Sequence, residues 1–341
     1  MKNSNQKKRK SFFNYKMLIG LLISILGLYL GFRKFDSKAF ISSLQSSNLI
    51  LFFLAMLIMV FTVFLRAWRW KYLVLPLKKI PLNDLFAAEM ICYFGNNVFP
   101  LRMGELLRSY SLSKMSGISV VSIFGTVVME RILDSLVFAV ILILAVIFLP
   151  EMPVWIKWGG VVASIIIVIV GLLLYILSSK KEFLKSYLKN HFKIFSMEKV
   201  VNPLSQFIRG LSALRSTPHL GLISIQSSII WILCIFVTWV IGASFNIYFS
   251  IGNLLLIFFV TSAIISIPSS PGYVGTYHAG VIGILLFIGL DLSLSQAIAV
   301  VLHAVGFLSL TLIGFVYFIK YHVSIKETSR RFEIEKGQIK V

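Results

Sequence analysis

Arg102, Glu105 and Arg108 stand three residues apart in a stretch that is otherwise apolar, and Glu130, Arg131 and Asp134 follow inside the next long apolar run. A charge held in hydrocarbon costs a few kcal/mol on insertion scales, so such residues face a partner or a polar cavity. Arg102, Glu105 and Arg108 share one face if their stretch is helical; Glu130 and Asp134 are four apart, and Arg131 and Asp134 three apart. The second group begins about eleven positions into its run, well below a membrane surface by helical rise. The guanidinium forks of Arg102, Arg108 and Arg131 could grip a phosphate. Glu105, Glu130 and Asp134 would neutralise them when no ligand is present, or meet a cationic headgroup. Glu89, Asn96 and Asn97 add polar groups to the same stretch. The plainer reading, an internal salt-bridge network that locks this segment, is compatible with the first. Paired carboxylates could also serve general acid–base catalysis, but no nucleophile, metal-ligand spacing or cofactor loop accompanies them.

A second constellation is Pro268-Ser-Ser270-Pro-Gly272-Tyr-Val-Gly275-Thr-Tyr277-His278, with His303 in the next apolar run. A Pro/Gly break before a helix start leaves backbone N–H groups at a positive dipole end, which suits an anion. A lone helical His is ordinarily structural. Two near one break raise the alternative of proton coupling, since imidazole changes charge near pH 6.5. They form no metal site. Arg66 and Arg69 lie with Trp68, Trp70, Lys71 and Tyr72 where an apolar run closes. The pattern reads first as an interfacial anchoring belt, with reach to a cavity mouth as the sharper version.

The secondary structure that carries these residues follows from composition. Of 341 residues 58% are hydrophobic and 13% charged, about half the charge of an ordinary soluble domain; mean hydropathy is +0.90. Apolar runs occur at 17–31, 49–65, 120–149, 154–177, 222–245, 251–267, 279–290 and 294–319. Segments of this length match a bilayer core, where only helices or closed barrels satisfy their backbone. No period-2 strand pattern appears, so the expected class is an all-α polytopic membrane protein. The formal net charge of +20 lies between the apolar runs, which points to membrane orientation rather than nucleic acid. Cys92 and Cys234 read as small hydrophobes.

Positive-inside reasoning puts the basic N-terminus (1–16), the basic loop 178–220 and the tail 320–341 in the cytoplasm. Both termini are then cytoplasmic, and the location is the cytoplasmic (inner) membrane. The stretches 83–116 and 251–290 are each broken by polar, Pro and Gly residues and are read as re-entrant helical hairpins. The order span, span, hairpin, span then occurs twice, over 17–149 and 150–319. This gives six full spans and two hairpins in two inverted-topology repeats, an arrangement typical of transporters. Pro100-x-x-x-Gly104 echoes Pro271-x-x-x-Gly275 at nearly the offset that relates Gly117 to Gly289.

On Arg66-Ala-Trp-Arg-Trp70, Asn96-Asn-Val-Phe-Pro-Leu-Arg-Met-Gly-Glu105 with Arg108, Glu130-Arg131-x-x-Asp134 and Pro268-x-x-Pro-Gly-x-x-Gly275, the chain resembles the flippase-like transmembrane family named after lysylphosphatidylglycerol synthase. This family includes the membrane half of multiple-peptide-resistance proteins. The resemblance implies movement between leaflets of an anionic or aminoacylated phospholipid, or of a lipid-linked sugar. It carries over as headgroup-contacting candidates Arg66, Arg69, Asn96, Asn97, Arg102, Glu105, Arg108, Glu130, Arg131, Asp134, Ser270, Gly272, Gly275, Tyr277, His278 and His303. Two positions depart from the pattern: His278 stands where the family commonly has Glu, and His303 where it commonly has a basic residue. Bifunctional members carry a cytoplasmic domain that transfers lysine to phosphatidylglycerol. With only 320–341 after the last span, that domain is expected to be missing, and no enzyme activity, cofactor or metal is expected. The alternative is a membrane component of a phosphatidylglycerol lysyltransferase, or an intramembrane headgroup transferase. Expected partners are the lipid itself, a homodimer copy, and a separate cytoplasmic synthase; nucleic acid is not among them.

Overall fold

Long apolar runs leave the backbone of this chain one local way to satisfy its N–H and C=O groups, and they become helices. The computed structural model describes residues 18–148, 217–266 and 270–335, with a few isolated positions between 154 and 170. Every regular element among these residues is helical. In chain order they are α1 (Leu18–Phe32), α2 (Ser37–Gln45), α3 (Leu49–Val74), α4 (Leu82–Val98), α5 (Gly104–Ser116), α6 (Val120–Phe148), α7 (Leu220–Ser244), α8 (Ile251–Ser266), α9 (Thr276–Phe287), α10 (Leu292–Lys320) and α11 (Ile325–Glu335). The N-terminal basic segment, most of the run 154–177 and nearly all of the loop 178–220 lie outside the described residues.

Among the described residues α3, α7 and α10 are able, by length and composition, to cross a membrane, and the pair α1–α2, bent by 86°, makes a fourth if it is one span. The sequence reading expected six. The difference has two physical sources besides the undescribed run. Helix α6 has 29 residues, long enough to span, but carries Glu130, Arg131 and Asp134 midway. Helix α1 stops after Phe32 at a charged Arg33-Lys-Phe-Asp36 turn. There the Asp36 carboxylate accepts from the N–H groups of Lys38 and Ala39 (2.9 and 3.1 Å) and starts α2.

Both broken stretches are present. Helices α4 and α5 are joined through a 3-10 turn at Pro100–Arg102, and α8 and α9 are joined across a 3-10 turn at Pro271–Tyr273. In each turn Pro starts the helix and the third residue is left-handed, Arg102 at φ 53 and Tyr273 at φ 58. Gly117 (φ 75) ends α5 and Gly289 (φ 95) follows α9, again in the left-handed region that glycine enters at least cost. The paired motifs therefore share local backbone as well as letters. One expectation changes: Arg102 closes the 3-10 turn and is not on the helix of Glu105 and Arg108, which begins at Gly104. A left-handed residue ends the helical register that would have set the three on one face.

The chain divides into two compact units. One comprises Met1–Val60, Tyr93–Met103 and Leu233–Leu312. In it the two 3-10 turns touch, and the Asn97 side-chain amide donates to Thr311 Oγ1 at 2.8 Å. Helix α1 lies on the second break: the Ser270 N–H donates to Ser24 Oγ (3.1 Å), and Gln296 Nε2 donates to the Gly31 carbonyl (2.8 Å). The approach is close enough that a Cβ on Gly275 would overlap the Ser24 carbonyl.

The other unit comprises Phe61–Cys92, Gly104–Ile232 and Ile313–Val341. Its core joins Ala67, Trp70 and Val74 of α3 to Leu85 and Ala88 of α4, Leu112 of α5, Ile123 and Val127 of α6, and Ile223 of α7. Amphipathic α11 packs on α5 and α6. Tyr110 donates to Glu327 (2.7 Å), Phe332 meets Phe124 edge-on, and Glu335 accepts from Ser119 Oγ and the Val121 N–H at the start of α6 (2.7 and 3.2 Å).

Candidate functional site

The strongest concentration of chemistry lies in the second unit, where α3, α4, α5 and α6 bring charges into the core. Helical spacing on α6 puts Glu130 and Asp134 one turn apart on one side. Spacing of three on α3 does the same for Arg66 and Arg69. Arg66 Nη1 reaches Asp134 Oδ2 at 3.2 Å, and Arg69 Nη1 reaches Asp134 Oδ1 at 2.6 Å. Arg69 Nη2 meets Glu130 Oε1 at 3.2 Å, and Arg108 Nη2 donates to Glu130 Oε2 at 2.6 Å. Arg108 also pairs closely with Glu89 of α4. The result is an unbroken alternation of sign, Glu89–Arg108–Glu130–Arg69–Asp134–Arg66. The side chains of Arg69 and Arg108 are 0% exposed.

Aromatic faces complete the packing. The Arg108 guanidinium lies 3.7 Å from the Trp70 ring centroid, and Arg66 lies 5.1 Å from that of Trp231 on α7. Trp70 Nε1 donates to Thr126 Oγ1 at 3.0 Å, and Arg69 donates to Ser227 Oγ at 2.8 Å. Trp70 and Arg69 thus turn inward rather than sit in an interfacial belt, while Trp68 keeps an exposed face. A motif of alternating Arg and Trp fits both readings. Only the neighbouring helices decide which side of α3 is covered.

Arg131 differs from the other cluster arginines. Its side chain is 40% exposed, and its guanidinium stands 3.7 Å from both Glu130 and Asp134, at the outer limit of an ion pair. Glu105, on the first turn of α5, is half-buried. Several guanidinium N–H groups in the cluster are buried without a hydrogen-bond acceptor: Arg69 Nε, Arg108 Nε and Nη1, and Arg131 Nε. Such donors suit an acceptor-rich group. Among the described residues no set of three or more His, Cys, Asp or Glu is arranged to hold a metal ion.

The remaining expected residues gather in the first unit. Asn96, Asn97 and Arg102 belong to the first tip, and Ser270, Gly272, Gly275, Tyr277 and His278 to the second. His303 Nε2 donates to the Gly272 carbonyl at 2.7 Å, since a carbonyl only accepts. The Gly275 N–H points at His278 Nδ1 (3.4 Å), a weak capping bond that requires an unprotonated Nδ1. The His278 and His303 rings stand 4.8 Å apart, and Tyr277 lies 5.1 Å from His303. The α9 N-terminus, read from sequence as an anion site, is occupied here by chain: His278 takes one N–H, and α1 at Ser24 and Gly27 lies against Gly275 and Thr276.

Sequence reasoning passed over Trp70, Ser227 and Trp231 as parts of the charge cluster, and Ser24 and Gln296 as props of the second break. The polar triplet Gln226-Ser-Ser228 inside the apolar run 222–245 was the available signal for α7.

Helices long and apolar enough to span, broken helices between them, and an ion cluster inside the packing define a polytopic helical membrane protein. The chain belongs to the family described as the lysylphosphatidylglycerol synthase TM region, which matches residues 17–314. Two UPF0104 membrane proteins of Methanothermobacter thermautotrophicus are similar to it. One is 21% identical over 339 residues, 96% of this chain and 98% of the relative. The other is 27% identical over 254 residues, 68% and 73% of the two chains. A UPF0104 membrane protein of Methanocaldococcus jannaschii is 26% identical over 238 residues, 66% of this chain and 93% of its own. No solved structure matches the chain.

Proposed function

We propose that this protein moves a lipid headgroup between membrane leaflets. The substrate is an anionic or aminoacylated phospholipid, such as a lysylphosphatidylglycerol-like lipid, or a lipid-linked sugar. The observation that carries this reading is the charge cluster: Arg66, Arg69 and Arg108 pair with buried carboxylates while Arg69 and Arg108 keep buried N–H groups without an acceptor, and Arg131, on the helix of Glu130 and Asp134, has a side chain that is 40% exposed and loosely paired. A network serving stability alone has little physical basis, because well-packed hydrophobic residues often match or exceed buried ion pairs. A polar path lined by such guanidinium donors lets a phosphate pass while the acyl chains stay in the bilayer. The echo between the turns at Pro100 and Pro271 supports two repeats of inverted topology, and the distribution of apolar runs and basic segments supports six spans with both termini cytoplasmic.

The test is reconstitution of the full chain into vesicles with fluorescent phosphatidylglycerol, lysylphosphatidylglycerol or a polyprenyl-phosphate sugar in one leaflet. At least one lipid should change leaflet faster than in protein-free vesicles, and Arg131→Gln should slow it. The reading is wrong if no lipid moves above the protein-free rate.

The family's description as part of a synthase favours a second reading, a membrane component that works with a lysyl-transferring synthase or modifies the headgroup itself. Lipid mass spectrometry of a deletion strain separates the two. A missing lipid species supports the synthase reading; a species present in the wrong leaflet supports translocation.

A further inference from the structure

Helix α7 meets α3 along a line in the second unit. His219 lies against Tyr72 (ring centroids 4.8 Å), Ile223 joins the core beside Trp70, Ser227 accepts from Arg69, and Trp231 lies under Arg66. Gln226, one residue before Ser227 on the same helix, is 4% exposed. Its Nε2 and its Oε1 are both buried and both without a hydrogen-bond partner. Burying an amide with neither end satisfied is costly, and a Leu at this position would avoid the cost. An amide in such a place is matched by a group that both donates and accepts, which is the property of a hydroxyl. The arginine cluster that the next residue, Ser227, touches carries donors in need of an acceptor, since Arg69 Nε and Arg108 Nη1 are buried without a hydrogen-bond partner.

We infer that Gln226 is a headgroup-specificity residue that binds a hydroxyl of a phosphate-bearing ligand, the phosphate meeting the arginine cluster. The ligand class is a hydroxylated phosphate headgroup, supplied either by glycerol in phosphatidylglycerol or by the sugar of a lipid-linked phosphate. A phosphodiester lipid of equal charge without a free hydroxyl binds less well. The inference rests on the proposed lipid substrate but not on its translocation.

The experiment is thermal unfolding of the purified full chain in detergent micelles containing phosphatidylglycerol, a polyprenyl-phosphate sugar, or phosphatidylethanol, which has the phosphodiester charge and no hydroxyl. For the wild type, at least one hydroxylated lipid raises the melting temperature more than phosphatidylethanol does, and the one that does so identifies the source. Gln226→Leu should melt at the same or a higher temperature without lipid, because it removes an unsatisfied polar group. Its apparent affinity for the hydroxylated lipid should fall about tenfold, the equivalent of one lost hydrogen bond, to the level of phosphatidylethanol. Equal shifts from all three lipids in the wild type overturn the inference. So does a Gln226→Leu chain that keeps the discrimination, in which case water satisfies the amide. A lower lipid-free melting temperature for Gln226→Leu also overturns it, since the amide then has a structural partner. If the lipids bind with this discrimination but do not change leaflet in vesicles, translocation fails while the assignment of Gln226 stands.

Discussion

Replacing Arg108 with Leu tests whether the charge cluster is a coupled unit. Arg108 is the cation that pairs with Glu89 among the described residues, and it also holds Glu130. Its removal leaves Glu89 buried without a counter-charge, whereas Glu130 retains Arg69 at 3.2 Å. Breaking a buried pair from one side costs about 3–5 kcal/mol, because the remaining ion is desolvated and uncompensated. Loss of the stacking on Trp70 at 3.7 Å acts in the same direction. In the double variant Glu89→Leu/Arg108→Leu no orphaned carboxylate remains, and apolar side chains fill the space. Its cost should fall to about 1 kcal/mol or less, giving a coupling of at least about 2 kcal/mol in a double-mutant cycle. The assay is reversible unfolding in mixed detergent micelles, followed by tryptophan emission, to which Trp70 contributes. If Arg108→Leu loses less than about 1 kcal/mol, or if the double variant equals the sum of the single ones, the residues are not coupled as described.

Arg131→Gln should leave stability within about 1 kcal/mol, as for other loosely held, part-exposed ion pairs, while slowing lipid movement; a large loss in the unfolding assay would show that Arg131 is structural. Gly275→Ala should sharply reduce folded protein in membranes, since its left-handed backbone (φ 94) faces the Ser24 carbonyl. Gly117→Ala, also left-handed (φ 75) but with open space around it, should cost only about 1 kcal/mol; the two are compared by detergent-resistant folded yield. Glu335→Ala removes the carboxylate that accepts at the start of α6 from Ser119 and Val121. It should cost about 1 kcal/mol, with faster protease cleavage near residues 117–121 as the readout.

Much of the architecture was readable because its cause is one-dimensional. A run of apolar residues long enough to match hydrocarbon must close its own hydrogen bonds, so α3, α7 and α10 follow from composition. Pro and Gly in the 3-10 turns break both hairpins wherever the helices lie in space. Periodicity also brought Glu130 and Asp134 to one side of α6. It failed at Arg102, where a left-handed residue interrupts the helix that the spacing assumed.

The burial of Arg69 and Trp70 could not be read, because a residue's environment depends on which helix covers it. Alternating Arg and Trp suits an interface and a core equally. The covering of α9's N-terminus by α1 is likewise a contact between segments far apart in the chain. Residence in a membrane, the places where the helices break and the need of the buried charges for partners are legible in the amino acids alone, because each follows from the cost of polar groups in hydrocarbon. Which partners those charges take emerges from the packing of the helices, because pairing is a matter of distance between segments far apart in the chain. That packing singles out Arg131 and Gln226, one loosely held and the other unsatisfied.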